Sequence, residues 1–457
     1  MIFENSPEYP QMTRQFSSFK FSIPALLLLT SIAFLGSCSK KTDYNYPPPP
    51  TQPVPPVTPP PALTITSFTP PTAAKDSTLV ITGTGFSTNI TENTVTFNGV
   101  KAVVSAATAT SLTVKVPRGA ANGKIGILIG TLSVKSADDF IYQYTTSTFA
   151  GSGGYGFVNG ASKDAQFRDP YGLTTDAAGN IYVADAGNNR IRKITPQGEV
   201  SSIAGSGALG SDNGDAATAT FNYPHGVAVD TLGNIYVADA GGNSIRKITA
   251  AGVVSTLAGN GTPGFKDGSG TDAEFWFPAD LVLDGAGNLF VTDGNNHRIR
   301  KITPAGVVST LPGTAPSGFA EFSFPEDIAI DAVGNLYIAD PGAAKIWKIA
   351  TAGSVSILAG SSPGFTDGPG ATAKFDTPEG IATDAAGNLY VGDLGNSAIR
   401  KITPGGVVST IAGNGHMGFA EGVGPDARFS QVSPVAVDAA GNIYIGDTGN
   451  SRVRKLQ

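Results

Sequence analysis

At 457 residues, with 58 Gly, 32 Pro and only 14% charged residues, the chain is long enough for two or more domains and dense in turn formers, which favours an all-β protein. Its formal net charge of −6 argues against a nucleic-acid partner, because phosphate binding is driven by clustered Lys and Arg. With the single cysteine Cys38 no intramolecular disulfide can form, so stability has to come from burial and strand pairing.

The one strongly apolar run, Ile23–Gly36, is too short and wrongly flanked for a membrane span and follows Arg14 and Lys20, as the apolar core of a secretory leader does. Glu4 and Glu8 are unusual in such a leader, which leaves both Met1 and Met12 as candidate translation starts. Leu35-Gly36-Ser37-Cys38 resembles the bacterial lipobox, which implies that residues 1–37 are removed and that Cys38 is lipidated. Residues 38–61 form a linker in which Pro47–Pro61 carries ten prolines in fifteen residues. That composition favours polyproline II and a stiff spacer of roughly 45 Å.

Residues 62–145 alternate apolar and polar residues in short runs broken by Gly, Asn and Pro, the pattern of a small β-sandwich. Ile65-Thr66-Ser67-Phe68-Thr69-Pro70, Ile81-Thr82-Gly83-Thr84-Gly85-Phe86, Val95-Thr96-Phe97-Asn98-Gly99, Val114-Lys115-Val116-Pro117 and Phe140-Ile141-Tyr142 resemble the IPT/TIG immunoglobulin-like family. The resemblance implies a spacer or binding module.

Residues 146–457 are a repeat array. The phrase Gly-Asn-(Ile/Leu)-(Tyr/Phe)-(Val/Ile)-x-Asp ends at Asp185, Asp239, Asp293, Asp340, Asp393 and Asp447, at intervals of 54, 54, 47, 53 and 54 residues. The short interval reflects the segment Gly313–Phe322, seven residues shorter than Gly259–Phe275. In the second unit four strands are expected over 226–230, 234–239, 244–249 and 253–259, each bounded by Gly or Asn. Six such units predict a six-bladed β-propeller. Pro224–Ile248 and its counterparts resemble NHL repeats, for which six blades are common. The last unit stops at Gln457 without its fourth strand, while Ser147–Gly151 repeats that strand's text at the front, so the N-terminal strand is expected to close the ring.

The repeated Asp is expected to accept backbone N–H bonds and fix a turn, and Gly-Asn at 179–180 to supply positive φ. The Arg-Lys pairs (Arg192/Lys193 and equivalents) are expected at regular solvated or inter-blade positions, with Trp347 replacing Arg in the fourth unit. A binding site is sought where the repeats differ. Just before the innermost strand stand Tyr171, His225, Ala279, Glu326, Glu379 and Ser433, followed by Asp280 and Asp327 in the third and fourth units. This predicts a polar, acidic rim of Tyr171, His225, Asp280, Glu326, Asp327 and Glu379 at the channel mouth, which could hydrogen-bond sugar hydroxyls or hold a Ca²⁺ through Glu326 and Glu379.

No catalytic residues or cofactor are assigned. Related propellers include peptidyl-hydroxyglycine lyases, which place several His on zinc, and lactonases of the gluconolactonase type. The three histidines here, His225, His297 and His416, fall in different parts of the repeats, although calcium-dependent lactonase-like chemistry would need only carboxylates and Asn. The expected function is a surface-anchored binding or scaffold lipoprotein with a glycan or protein ligand, attached to the membrane through its lipid alone. The layout resembles surface lipoproteins of the Bacteroidota, some of which capture glycans, and Ser39 is compatible with outer-membrane sorting. Tyr155, Tyr171, Tyr223, Trp276 and Trp347 are candidates for stacking on sugar rings, Trp276 being expected in the blade interior.

Overall fold

The computed structural model describes Pro47, residues 61–312 and residues 322–457. Cys38 with its leader, most of the proline spacer and most of the shortened fourth linker lie outside the described residues. From Pro60 onward the chain is one compact unit.

The first domain is a single folded-over sheet with strand order Thr64–Thr69, Thr78–Thr84, Ser111–Lys115, Val100–Ala107, Thr94–Phe97, Gly123–Ile129, Leu132–Tyr142 and Thr72–Ala73. Period-two patterning turns Leu79, Ile81, Val95, Phe97, Leu112 and Val114 into its core, where Phe97 and Phe140 meet edge to face at 4.8 Å.

Six sheets follow around a central axis. In the second blade the strands run from the channel outward as Pro224–Val229, Ile235–Asp239, Ser244–Ile248 and Val253–Ala258. The innermost strand therefore begins two residues earlier than the repeat text suggests. Four blades also gain an outermost two-residue strand donated by the preceding linker, such as Gly214–Asp215, which the sequence reading did not anticipate. Each first hairpin turns on an Asp whose carboxylate caps it: Asp176 accepts N–H bonds from Ala178 and Asn180, both at 2.9 Å, while Gly179 takes φ 80°. Phe167, Phe221, Phe275, Phe375 and Phe429 are fully buried, one in each blade but the fourth, where Phe322 is buried in their place.

The ring closes as the truncated last unit requires. Thr145–Ala150 lies antiparallel to Arg452–Leu456, with Ala150 opposite Val453 and Thr146 opposite Leu456, so it is the missing outer strand of the sixth blade. The innermost strands complete the circle, Pro170–Thr175 packing on both Pro224–Val229 and Val432–Val437.

The repeated Asp and Arg form the nail of each blade. Asp185 accepts the Arg168 N–H at 2.7 Å and the Asn188 amide at 2.9 Å, as expected for a turn-fixing carboxylate. It also pairs with Arg192 at 2.6 Å, both side chains being fully buried. The second guanidinium nitrogen donates to Val158 O at 3.0 Å, and the plane lies over the Phe167 ring, which straps the incoming linker to the blade. The same pairs recur at Arg246–Asp239, Arg300–Asp293, Arg400–Asp393 and Arg454–Asp447. These arginines are therefore neither solvated nor available to any surface ligand. In the fourth blade Trp347 takes the place of Arg, donating its indole N–H to Asp340 at 3.1 Å, and the carboxylate recovers further donors from the backbone of Ser323, Phe324 and Ala343.

Candidate functional site

Tyr171, His225, Asp280, Glu326, Asp327 and Glu379 all line one recess at the end of the channel where the innermost strands begin. The local chain geometry that puts them there is a β-bulge. Pairing between the two inner strands slips after Pro170, Pro224, Pro278, Pro378 and Val432, and the extra residue re-aims its side chain toward the axis. The rim residues are thus inside the first strand rather than before it, except Glu326, which directly precedes its strand Asp327–Ile330. Immediately upstream, Asp169, Tyr223, Phe277, Thr377 and Gln431 adopt left-handed φ of 53°, 54°, 55°, 55° and 54°. Tyr223 and Phe277 are held so by donating their N–H to Asn189 and Asn243 of the preceding blade, each at 3.0 Å.

Next to the rim residue three blades carry Gly (Gly172, Gly226 and Gly380) for a steric reason. A Cβ on Gly172 would stand 2.1 Å from the His225 carbonyl oxygen, and one on Gly380 would stand 1.6 Å from that of Ser433. Asp280 and Asp327 occupy this position in the third and fourth blades and lie deeper than the rim. Their carboxyls reach across to the next innermost strand, Asp280 accepting from Ile328 N at 3.3 Å and Asp327 from Ile381 N at 3.0 Å. Thr292, where other blades have Ala or Gly, bonds the Glu326 carbonyl at 2.9 Å. Burial raises both aspartate pKa values, that of Asp327 well above its ordinary value with the Asp280 charge adding to it.

Above them the recess is nearly filled, its remaining space being ≈ 20 Å³, room for about one water. Its contents divide by side. Tyr171 stacks on His225 with centroids 4.4 Å apart, Tyr223 stands 5.8 Å from Tyr171, Phe277 stands 5.6 Å from His225, and Phe324 follows at 6.2 Å from Phe277. Blades one to four therefore present a half-buried aromatic arc. Opposite it are Glu326 and Glu379. Glu326 is 3.5 Å from His225 Nδ1, and burial together with Glu379 and Asp280 drives its pKa well above the usual value. Burial likewise lowers His225 to about 4, against a backbone hydrogen bond at Ala279, so the imidazole is neutral at pH 7. Glu379 is raised by burial and its Oε2 is buried with no hydrogen-bond partner. Such a set can stack on a flat apolar face and exchange hydrogen bonds with uncharged polar groups.

Among the described residues no three His, Cys, Asp or Glu side chains group in a way that could hold a metal ion. Two stacking candidates change place. Trp276 is 48% exposed rather than interior, because its neighbours Phe275 and Phe277 take the inward directions and leave it on the linker surface. Trp347 is buried against Phe322 and committed to Asp340, so it cannot meet a ligand. Tyr155 is 66% exposed and lines an open groove with Arg168, Asp169 and Asn188. Phe277 and Phe324 were missed in the sequence, although their position differs among repeats (Asp, Tyr, Phe, Phe, Thr, Gln) as much as the rim itself.

Family models agree with this architecture. The IPT/TIG domain model matches residues 63–149, and the NHL repeat model matches 167–194, 221–248, 275–302 and 429–456. The chain carries an IPT/TIG domain followed by a six-bladed NHL-repeat propeller. The fourth and fifth blades lie outside the matched segments, and their strand pairing establishes them as blades of the same propeller.

The chain is 30% identical over 316 residues to protein SUPPRESSOR OF QUENCHING 1, chloroplastic, of Arabidopsis thaliana, covering 67% of this chain and 26% of that one. It is 30% identical over 339 residues to human Teneurin-4, covering 63% and 10%. It thus spans only a minor part of these relatives. Among solved structures, a Bacteroides thetaiotaomicron protein of unknown function superposes with TM-score 0.59 at 20% identity over 87% of this chain and 98% of its own. A protein from Bacteroides ovatus described as an auxiliary nutrient binding protein superposes with TM-score 0.54 at 20% identity, covering 87% and 98%. At these identities the likeness is one of fold, and it extends over both the IPT/TIG domain and the propeller.

Proposed function

We propose that this protein is an exported, lipid-anchored binding protein whose NHL propeller captures a glycan or a protein segment at the channel mouth, with the IPT/TIG domain and the proline linker holding the propeller away from the membrane. The observation that carries this reading is the split mouth, an aromatic arc of Tyr171, Tyr223, His225, Phe277 and Phe324 facing Glu326 and Glu379. The rings of Tyr171, Tyr223, Phe277 and Phe324, half-buried and held by their neighbours and by the buried His225, offer stacking area with little ordering entropy to lose, and carboxyls with raised pKa offer both donors and acceptors to hydroxyl or amide groups. The Bacteroides proteins of similar fold described as auxiliary nutrient binding proteins support the same reading, as do the leader and Cys38. The nearly filled recess argues that the ligand rests on the mouth and does not thread the channel.

The test is a glycan array and a pull-down from surface extracts with the mature chain. Binding to at least one is expected, and Tyr171→Ala and Glu379→Gln should each weaken it by about tenfold or more. Empty results from both would remove the proposal. Membrane attachment is separable: Cys38→Ala should abolish palmitate labelling and release the protein without changing ligand affinity.

A further inference from the structure

A second cavity lies far from the mouth, where the IPT/TIG domain covers the outer strands of the fifth and sixth blades. It measures ≈ 450 Å³, within the range of sites that hold small organic molecules. Its wall is largely apolar, with Ile141 and Tyr144 on one side and Ile411, Val423 and Pro425 on the other. Lys401 is the only charged residue in that lining.

The setting of Lys401 differs from that of its repeat equivalents. In every blade this lysine stands over the aromatic ring of the neighbouring strand, at 5.6 Å for Lys193 on Tyr182, 5.4 Å for Lys247 on Tyr236 and 5.7 Å for Lys401 on Tyr390. Lys193, Lys247, Lys301, Lys348 and Lys455 remain partly open to water. Lys401 is 6% exposed, because the neighbouring domain closes over it. Among the described residues it has no ion pair, and its amine reaches only the Tyr144 hydroxyl, at 3.4 Å. Burying an ammonium without a counter-charge is unfavourable unless something neutralises it. Burial also lowers its pKa, with the more distant Asp384 acting in the other direction.

We infer that this interdomain cleft binds a small organic anion with an apolar body, its carboxylate or sulfonate paired with Lys401 Nζ and its body resting on Ile411, Val423 and Pro425. The charge complement, the volume and the largely apolar wall favour this class, and Lys401 would repel a cation. The site is independent of the mouth.

Titration of the full chain with anilinonaphthalene sulfonate, an anionic aromatic probe, tests the inference. A saturable fluorescence rise is expected. Lys401→Met should weaken it by about tenfold or more, Lys401→Arg should keep it within about threefold, and Ile411→Trp, which fills the cleft, should abolish it. Lys247→Met, at the same register in the second blade, should leave it unchanged. Circular dichroism and thermal midpoints identify folded variants, and the Ile411→Trp and Lys401→Arg arms decide the matter if Lys401→Met does not fold. Absence of saturable binding by the wild type, undiminished binding by folded Lys401→Met, or retained binding by Ile411→Trp would overturn it.

Discussion

The fully buried pair of Arg246 and Asp239 and its equivalents shows how one residue type can be indispensable in five blades and replaceable in the fourth. A guanidinium neutralises the buried carboxylate and ties down a linker, so removing it leaves an uncompensated charge. Arg246→Met is expected to destabilise the propeller by about 3–5 kcal/mol. Trp347→Phe removes one neutral donor from Asp340, which keeps its three backbone N–H bonds, and should cost about 1–3 kcal/mol. Urea unfolding of the two variants side by side checks the order. His225 makes a pH prediction. Its folded pKa of about 4 lies below the unfolded value near 6.5, so only the unfolded chain takes up this proton between them. The corresponding stability is fully present above about pH 6.5 and is lost as pH falls toward 4, by at most about 3 kcal/mol. Glu326, with its raised pKa, has the opposite sign and favours folding as pH falls, so the His225 contribution is isolated by comparing wild type with His225→Gln over that range. In the folded protein the His225 ring proton shifts should stay constant from pH 8 to pH 5.

At the scale of elements, most strands were readable from period-two patterning and from Gly, Asn and Asp at the turns, which are local signals. The bulge that aims Tyr171, His225 and Glu379 at the axis was not readable, because it arises where a strand start must meet both its own hairpin partner and the next blade. For the same reason the innermost strand extends back to Pro224, and Phe277 and Phe324 join the mouth although their text looks like linker. The two-residue outer strands, such as Gly268–Ser269 paired with Val307–Val308, depend on a linker folding back along the outermost strand. The exposed Trp276 shows the limit of reasoning from composition, since Phe275 and Phe277 take the inward directions and the bend between them leaves Trp276 on the surface.

For the whole molecule the decisive event is closure of the ring. Thr145–Ala150 fills the edge of the sixth blade, Phe149 meets Tyr444 at 5.1 Å, and Thr146 and Ala150 are buried. Deleting 146–151 exposes the backbone edge of Arg452–Leu456 and removes the link between the two ends of the array. The expected result is a lower thermal midpoint for the entire propeller and loss of hydrogen-exchange protection in Arg452–Leu456, measured by mass spectrometry. A deletion that loosened only its own neighbourhood would show that inter-blade packing alone holds the circle. By itself the sequence determined the two domains, the number of blades and the strand that closes them, because repeats, alternation and turn residues act over a few positions and survive without knowledge of the fold. The tertiary structure alone decided that the arginines are buried nails, that Asp280 and Asp327 bridge strands inside the channel, that four blades contribute an aromatic arc to one mouth, and that Lys401 faces a closed cleft. Each of these depends on residues dozens to hundreds of positions apart sharing one desolvated space, where burial sets charge, pairing and exposure and local sequence carries no record of the neighbour.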